Sequence, residues 1–213
     1  MGDERFAAYL AHELRTPLAT QRALLELALA DPTTGEPAWR EIGNDVLAAC
    51  TQQERLVEAC LALARSGSRR RREPVDLAAI AGDALDAHDR GSLTAFAELG
   101  KARTTGDPCL VERLVSNLLS NAIRHNRPGG RIEVATSTRS GRAMLFVANS
   151  GARIRPSELP HLFEPFQRLS SADGVGLGLS IVQAIADAHD AIVTARTRRG
   201  GGLGIDVAFA ALD

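Results

Sequence analysis

The stretch Ala11-His12-Glu13-Leu14-Arg15-Thr16-Pro17-Leu18 sets an imidazole, a carboxylate and a hydroxyl within one turn of chain. From Asp3 to Ala30 the only Pro or Gly is Pro17. At about 100° per residue, Phe6, Leu10, Leu14, Pro17, Leu24, Leu25 and Ala28 fall on one broad apolar stripe. His12 lies roughly opposite the centre of that stripe, so the pattern predicts an imidazole facing water. Thr16 follows one turn later on the same face, and Glu13 borders the stripe. An exposed neutral imidazole, with an ordinary pKa of about 6.5, is a competent nucleophile near pH 7. A neighbouring carboxylate can hold one ring N–H and leave the lone pair of the other nitrogen directed outward. Pro17 removes a helical N–H and bends the helix just below the histidine.

A second set of polar residues lies about a hundred residues downstream. In LVSNLLSNAIRHN, Leu114 to Asn126, Asn117 and Asn121 stand four apart on one helix face, with Arg124 and His125 beyond. Two carboxamides one turn apart can coordinate Mg²⁺, whose other ligands would be phosphate oxygens and water. Arg124 adds a cation able to reach phosphate. In DGVGLGLSIVQAIADAH, Gly174, Gly176 and Gly178 precede an apolar-periodic helix beginning near Leu179. Glycines let backbone N–H groups approach phosphate closely, and a helix N-terminus adds the positive end of its dipole. Such a glycine run is a weak signal alone. A dinucleotide-binding reading would need a preceding strand and an acid about 20 residues later.

These residues need elements to position them. With 45% hydrophobic and 24% charged residues over 213 positions, the composition is that of an ordinary globular chain of one large or two small domains. The net charge of −1 gives no general attraction for nucleic acid. No apolar run approaches the roughly 20 residues of a membrane helix, and MGDERFAAYL has no signal-peptide core, so a soluble chain is expected. Cys50, Cys60 and Cys109 lack metal-ligand spacing. On one helix the first two would lie roughly 15 Å apart, which predicts reduced thiols in a cytosolic compartment. DPTTGEP, Asp31 to Pro37, ends the first helix, and a second is expected from about Trp39 to Arg65 with Ile42, Val46, Ala49, Gln53, Leu56, Cys60 and Leu63 at three- and four-residue steps. Two such helices make an antiparallel hairpin, which a second copy would complete as a four-helix bundle. SGSRRRREP, Ser66 to Pro74, reads as a solvated linker. After it, helical patterns at Leu77 to His88 and Cys109 to His125 alternate with period-2 runs RIEVATS, AMLFVAN, AIVTARTR and GIDVAFA, separated by the turns PGG and RRGGG. The expected fold is a multi-domain one: an all-α helical hairpin, then an α+β two-layer sandwich. The expected boundaries are 1–68 for the hairpin, 69–74 for the basic linker and 75–213 for the sandwich.

AHELRTPL resembles the H box of bacterial sensor histidine kinases of two-component systems, and the later segments resemble the family's N, G1, F and G2 boxes in the family's order. The resemblance spans residues about 10 to 180 and implies a helical hairpin followed by a GHKL-type ATP-binding sandwich. His12 would then be phosphorylated by ATP, with Glu13 as proton acceptor or orienting group. Thr16 would position the water that dephosphorylates the partner. In the N box, Asn117, Asn121, Arg124 and His125 would face the nucleotide, with Asn121 as the Mg²⁺ ligand. Asn149 and Gly151, in VANSGARI, occupy the place of the G1 box that holds adenine. Phe163 and Phe166, in LPHLFEPFQRL, resemble the F box, and Gly174, Gly176, Leu177 and Gly178 the G2 box. QRLSSAD, Gln167 to Asp173, would be a short lid over ATP. The implied partners are a response regulator receiver domain and a second copy of the chain through the hairpin, with no nucleic acid. Contact with a membrane would come only through segments outside this chain. The implied location is the cytoplasm, either free or as the cytoplasmic part of a membrane-anchored sensor.

The G1-like segment departs from the family pattern. Asn149 stands where an Asp is usual, and Arg153 replaces the second Gly. An Asn could still serve adenine, its carbonyl accepting from the 6-amino group while its NH₂ donates to a ring nitrogen. A neutral carboxamide makes the weaker bond, which implies lower affinity or looser base selectivity. The rival readings are a dimeric scaffold without ATP, an ATPase or serine-directed kinase using the pocket alone, and a phosphatase-dominant member.

Overall fold

The structure is a computed structural model. It describes residues 18–19, 21–30, 35–47, 50, 72–163 and 178–212. The chain divides into two compact units, Met1–Leu61 and Ala62–Asp213.

In the first unit, residues 21–30 form helix α1 and residues 36–47 helix α2. α2 starts at Glu36, three residues before the start expected at Trp39. The last two residues of DPTTGEP therefore belong to the helix. Pro37 is tolerated because the N–H it lacks would have no helical acceptor in a first turn. The Trp39 N–H donates to Gly35 O at 3.1 Å, closing that turn. Glu36 and Arg40 pair across it at 2.9 Å, both exposed. The side chain of Gln21, near the start of α1, donates to Val46 O and to Cys50 Sγ, both at 3.4 Å. The helices therefore run antiparallel, as the hairpin reading expects. Leu18, Leu25 and Leu29 stay exposed in the single chain.

The second unit begins with strand β1, Glu73–Asp76, and helix α3, Leu77–Ala87. Then come β2 (Thr94–Leu99), β3 (Arg103–Gly106), α4 (Pro108–Arg124), β4 (Arg131–Arg139) and β5 (Arg142–Asn149). A 3₁₀ segment over Pro156–Phe163, helix α5 (Gly178–Ala188) and strands β6 (Ile192–Thr197) and β7 (Leu203–Ala210) complete it. β1 and β3 pair antiparallel, and the other five strands form one mixed sheet in the order β2-β4-β5-β7-β6. β2 runs parallel to β4, and every other pair in that sheet is antiparallel. A parallel pair needs a crossover, here supplied by β3 and α4. β4 and β5 are joined by the two-residue turn Ser140-Gly141, both with positive φ (50° and 70°). That conformation matches the right-handed twist of the strands it joins.

Alternation decides the faces of the sheet. Ile132 and Val134 on β4, Leu145 and Val147 on β5, and Ile205, Val207 and Phe209 on β7 are buried. Val111, Leu114, Val115, Leu118, Leu119 and Ala122 of α4 and Ile181, Val182 and Ile185 of α5 are buried with them. The opposite face carries Phe146 with Arg196 stacked over its ring at 4.6 Å, and Arg196 pairs with Asp206 at 3.4 Å. This is a two-layer α+β sandwich of the expected kind. The strands β1, β2 and β3 were absent from the sequence reading. In TAFAEL the two large apolar residues, Phe96 and Leu99, stand three apart and are 55% and 37% exposed, so no apolar alternation marks the edge strand.

Aspartates start helices α3 and α4. Asp76 Oδ1 accepts from the Ala78 and Ala79 N–H groups at 2.9 and 3.3 Å, and Asp107 Oδ1 from those of Cys109 and Leu110 at 3.0 and 3.3 Å. Such caps are worth about 1 kcal/mol each. The core contributes more. Leu145 is fully buried at the centre of the sheet, and Leu145→Ala should lower stability by about 2–5 kcal/mol through lost transfer energy and a residual cavity. Urea unfolding followed by circular dichroism measures that loss.

Candidate functional site

The candidate site is built on one face of α4. Asn117 and Asn121 are both half-buried on it. The Asn117 side chain donates its NH₂ to Arg113 O at 3.0 Å, one turn back. Its oxygen lies 3.9 Å from where a Cβ on Gly178 would sit, so the N-box helix meets the first residue of α5 at a position without a side chain. Asn121 lines a small hollow of about 10 Å³ with Leu118, Ala122, Val147, Asn149, Leu203 and Ile205. Apolar side chains from α4, β5 and β7 form its walls, and two carboxamides supply its polar atoms.

Asn149 ends β5 and is 3% exposed. Its Nδ2 donates to His125 O at 3.0 Å and to Ser150 O at 2.8 Å. Both neighbours are carbonyls, which can only accept, so the orientation of the carboxamide is fixed. Both N–H groups are thereby committed. This corrects the two-way adenine contact expected from the sequence: Asn149 can offer a base its oxygen, but not its NH₂.

His125 caps the C-terminus of α4, its N–H donating to Asn121 O at 3.0 Å. Desolvation, and then the neighbouring Arg124 cation, hold its imidazole below the usual histidine range. Arg124 itself lies in the last turn of α4. Gly151 packs where a Cβ would strike His125 O. Phe163 is half-buried at the end of the 3₁₀ segment, and Gly178 opens α5. The structure thus brings Asn121, His125, Asn149 and Gly151 together around the end of α4, and Asn117 to Gly178. His12, Glu13, Thr16, Phe166, Gly174, Gly176 and Leu177 lie outside the described residues, as do the expected lid 167–173 and Cys60.

Four supporting residues escaped the sequence reading. The Asn126 NH₂ donates to Ala122 O at 3.2 Å and Arg131 O at 3.1 Å, while its oxygen accepts from Ser150 Oγ at 2.7 Å. Ser150 Oγ in turn accepts from the Arg131 N–H at 2.8 Å. This network ties the end of α4 to the start of β4 and the end of β5. Gly201 and Gly202, read as a turn, have φ of 87° and 95°. A Cβ on Gly201 would strike Gly151 O, and one on Gly202 would strike Asn149 O. The signal was available: three consecutive glycines exceed what a hairpin turn requires.

Comparisons with known proteins agree with this architecture. Residues 3–69 match the family described as His Kinase A (phospho-acceptor) domain, and residues 106–211 match Histidine kinase-, DNA gyrase B-, and HSP90-like ATPase. The sensor protein CutS of Streptomyces coelicolor is 43% identical over 212 residues, 94% of this chain and 51% of CutS. The mycobacterial sensor histidine kinase MprB superposes with a TM-score of 0.62 at 28% identity, covering 66% of this chain and 98% of the MprB structure. The histidine kinase ThkA, solved in complex with the response regulator protein TrrA, shares the fold with a TM-score of 0.72 at 20% identity, covering 98% of this chain and 61% of that one. The chain belongs to the sensor histidine kinases of two-component systems and carries their phosphoacceptor and ATPase domains. It spans about half the length of the curated relatives it matches.

Two outcomes follow from the site's geometry. Gly202→Ala places a side chain in the left-handed region and against Asn149 O, and should cost about 1–3 kcal/mol, read as a lowered Tm. His125 is harder to protonate folded than unfolded. The unfolded chain therefore takes up the proton first, and this group leaves stability intact above about 6.5 but erodes it as the pH falls from there towards the lower folded-state pKa. In His125→Gln that part of the pH profile should flatten, as followed by urea midpoints between pH 7.5 and 5 (on the order of the imidazole range).

Proposed function

We propose that this chain is the catalytic core of a histidine kinase. ATP bound in the second unit phosphorylates His12, and the phosphoryl group passes to an aspartate of a response regulator receiver domain. The observation that carries the reading is the pairing of two carboxamides, Asn121 and Asn149, across an apolar hollow behind a helix whose other Asn meets the start of α5. The working boundaries are residues 1–68 for the phosphoacceptor hairpin, 69–74 for the linker and 75–213 for the ATP-binding domain.

Each residue has a chemical task in this reading. The purine packs over the mouth of the hollow, with Asn149 accepting from it. The N-terminus of α5 opens with Gly178 and, with Gly174, Gly176 and Leu177, offers backbone N–H groups to phosphate oxygens. Phe163 packs at the edge of the nucleotide site. The oxygen of Asn121 suits a hard cation, and no cluster of three or more His, Cys, Asp or Glu side chains that could hold a metal occurs among the described residues. Mg²⁺ there would share its coordination with phosphate oxygens and water. Bound Mg²⁺ supplies charge neutralisation on the phosphates. Asn117 supports the helix start, and Arg124 and His125 face the phosphate end of the nucleotide. An imidazole nitrogen of His12 forms a bond to the γ-phosphorus as the bond to the bridging oxygen breaks and ADP leaves. Glu13 holds the ring N–H. Thr16 orients water for the reverse task, hydrolysis of the regulator's acyl phosphate.

The partner reading draws on chemistry and on kinship. The exposed Leu18, Leu25 and Leu29 leave an apolar surface that a second copy can cover. The family resemblance, with ThkA solved beside TrrA, supports a receiver domain as phosphoacceptor. Among the described residues no helix is long and apolar enough to cross a membrane, and we place the activity in the cytoplasm. Incubation with Mg²⁺ and γ-phosphate-labelled ATP should yield acid-labile labelling of the wild type. His12→Ala should abolish the label yet bind nucleotide normally. Label persisting in that variant would sink the assignment, and the absence of saturable nucleotide binding in the wild type would favour a scaffold.

A further inference from the structure

Helices α4 and α5 approach closely at both ends. At one end the Asn117 oxygen lies 3.9 Å from the Cβ position of Gly178, where the candidate site is built. At the other, the Asp107 N–H donates to His189 Nε2 at 3.0 Å, and His189 follows directly on α5. The two helices therefore run antiparallel. Residues 107 and 117 stand ten apart, about 15 Å along a helix axis. The His189 ring is held from three sides. Nδ1 lies 2.7 Å from Ile185 O, a group that can only accept, so Nδ1 carries the proton and Nε2 the lone pair. The ring stands edge-on to the fully buried Phe209, with centroids 6.1 Å apart and planes at 78°. It also fills the space beside Gly106, where a Cβ would strike Cδ2 and Nε2. We propose that His189 is a positioning residue for phosphoryl transfer: it locks α5 in register with α4, and so sets the Gly178 end of α5 against Asn117 and Asn121.

The lock acts on α5 because α4 is tied elsewhere. At its C-terminal end α4 is bonded to the sheet, through Asn149 to His125 O and through Asn126 to Arg131 O and Ser150 Oγ. At its N-terminal end the bond falls on the capping residue. Asp107 Oδ1 accepts from the Cys109 and Leu110 N–H groups, while its own N–H points back to His189. Between the two ends the helices pack through buried apolar side chains. Such packing is non-directional, so it sets the distance between helices better than their position along the axis. A hydrogen bond at 3.0 Å, by contrast, is lost once its atoms part by about 1 Å. Phosphoryl transfer is sensitive to errors of that size, since a misplacement of about 1 Å can cost roughly a hundredfold in rate. The hollow under the purine is lined from α4, β5 and β7, with no residue from α5. Loss of the lock should therefore spare base binding and spoil the placement of the phosphates.

This role rests on the nucleotide reading above, and the test separates the two. The single-turnover rate of acid-labile labelling is measured on the full chain with Mg²⁺ and γ-phosphate-labelled ATP, and ATP affinity is measured separately by calorimetry. His189→Leu keeps apolar bulk beside Phe209 but leaves the Asp107 N–H without its acceptor. It should label roughly ten- to a hundredfold more slowly, with ATP affinity nearly unchanged. His189→Gln, whose side-chain oxygen can accept from the same N–H, should recover most of the rate. Gly106→Ala pushes the ring off Asp107 and should be as slow as the leucine variant; it is the deciding variant if that one fails to fold. A wild-type rate in His189→Leu or in Gly106→Ala would overturn the proposal and leave the kinase reading standing. So would a glutamine variant no faster than the leucine variant, or a loss of rate matched by an equal loss of affinity. A wild-type chain that binds no ATP would strike the kinase reading and this role together.

Discussion

A buried carboxamide at the end of a central strand must find partners for two N–H groups. At Asn149 both go to main-chain carbonyls, one on the residue capping α4 and one on its own neighbour. The consequences spread outward. His125 O is held, so the last turn of α4 is fixed against the end of β5. Gly151 and Gly202 must then lack side chains, because the backbone atoms around the amide occupy the space a Cβ would fill. Asn126 and Ser150 add a second set of bonds between the same segments. With each bond worth about 0.5–1.5 kcal/mol net but 1–3 kcal/mol if one partner were lost, the cluster resists piecemeal change.

Helix α4 is clamped from more than one side. Its start is set by Asp107 and Pro108, and the Asp107 N–H donates to His189 Nε2 at 3.0 Å, just beyond the end of α5. The other ring nitrogen of His189 lies 2.7 Å from Ile185 O, so the ring carries its proton there and presents a lone pair to Asp107. Away from the hollow, Ser120 Oγ and Ser116 Oγ reach His88 Nε2 at 3.1 and 3.4 Å. Serines at 116 and 120 thus anchor the helix to the end of α3, while Asn117 and Asn121, one residue further on each time, face Gly178 and the hollow. A shift of α4 by one residue would exchange the two roles.

Periodicity and motif made much of this legible in advance. Helices α3 to α5 and strands β4, β5 and β7 follow from 3.6- and 2-residue patterns, because in each case one face is buried and apolar, while the hairpin and β6 show the same periods with their apolar residues largely open in the single chain. β1, β2 and β3 were not legible. β2 lies at a sheet edge and turns its phenylalanine to the open face, and the other two are four residues long. At the site, Asn117, Asn121 and Asn149 were visible as polar residues of the right type. Their hydrogen-bond directions were not, since an amide's polarity is decided by neighbours far away in sequence: His125 lies 24 positions from Asn149. The same holds for Asn126 and Ser150, whose bonds close only when β4, β5 and α4 are assembled. Sequence shows which group is present. Only the fold shows which of its atoms remains to meet a ligand.

The first unit obeys a different constraint. Among its described residues only Gln21 and Ala28 are buried, and one of the two is polar. The Gln21 amide bridges to Val46 O and Cys50 Sγ across the hairpin, which fixes the register of the two helices better than it stabilises them. Each leucine moved from water into a core contributes about 1.5–3 kcal/mol. Leu18, Leu25 and Leu29 are 60, 38 and 73% exposed in the single chain, so most of that gain is still available. A second copy covering this stripe would add that hydrophobic contribution, whereas the sandwich already encloses a core of its own.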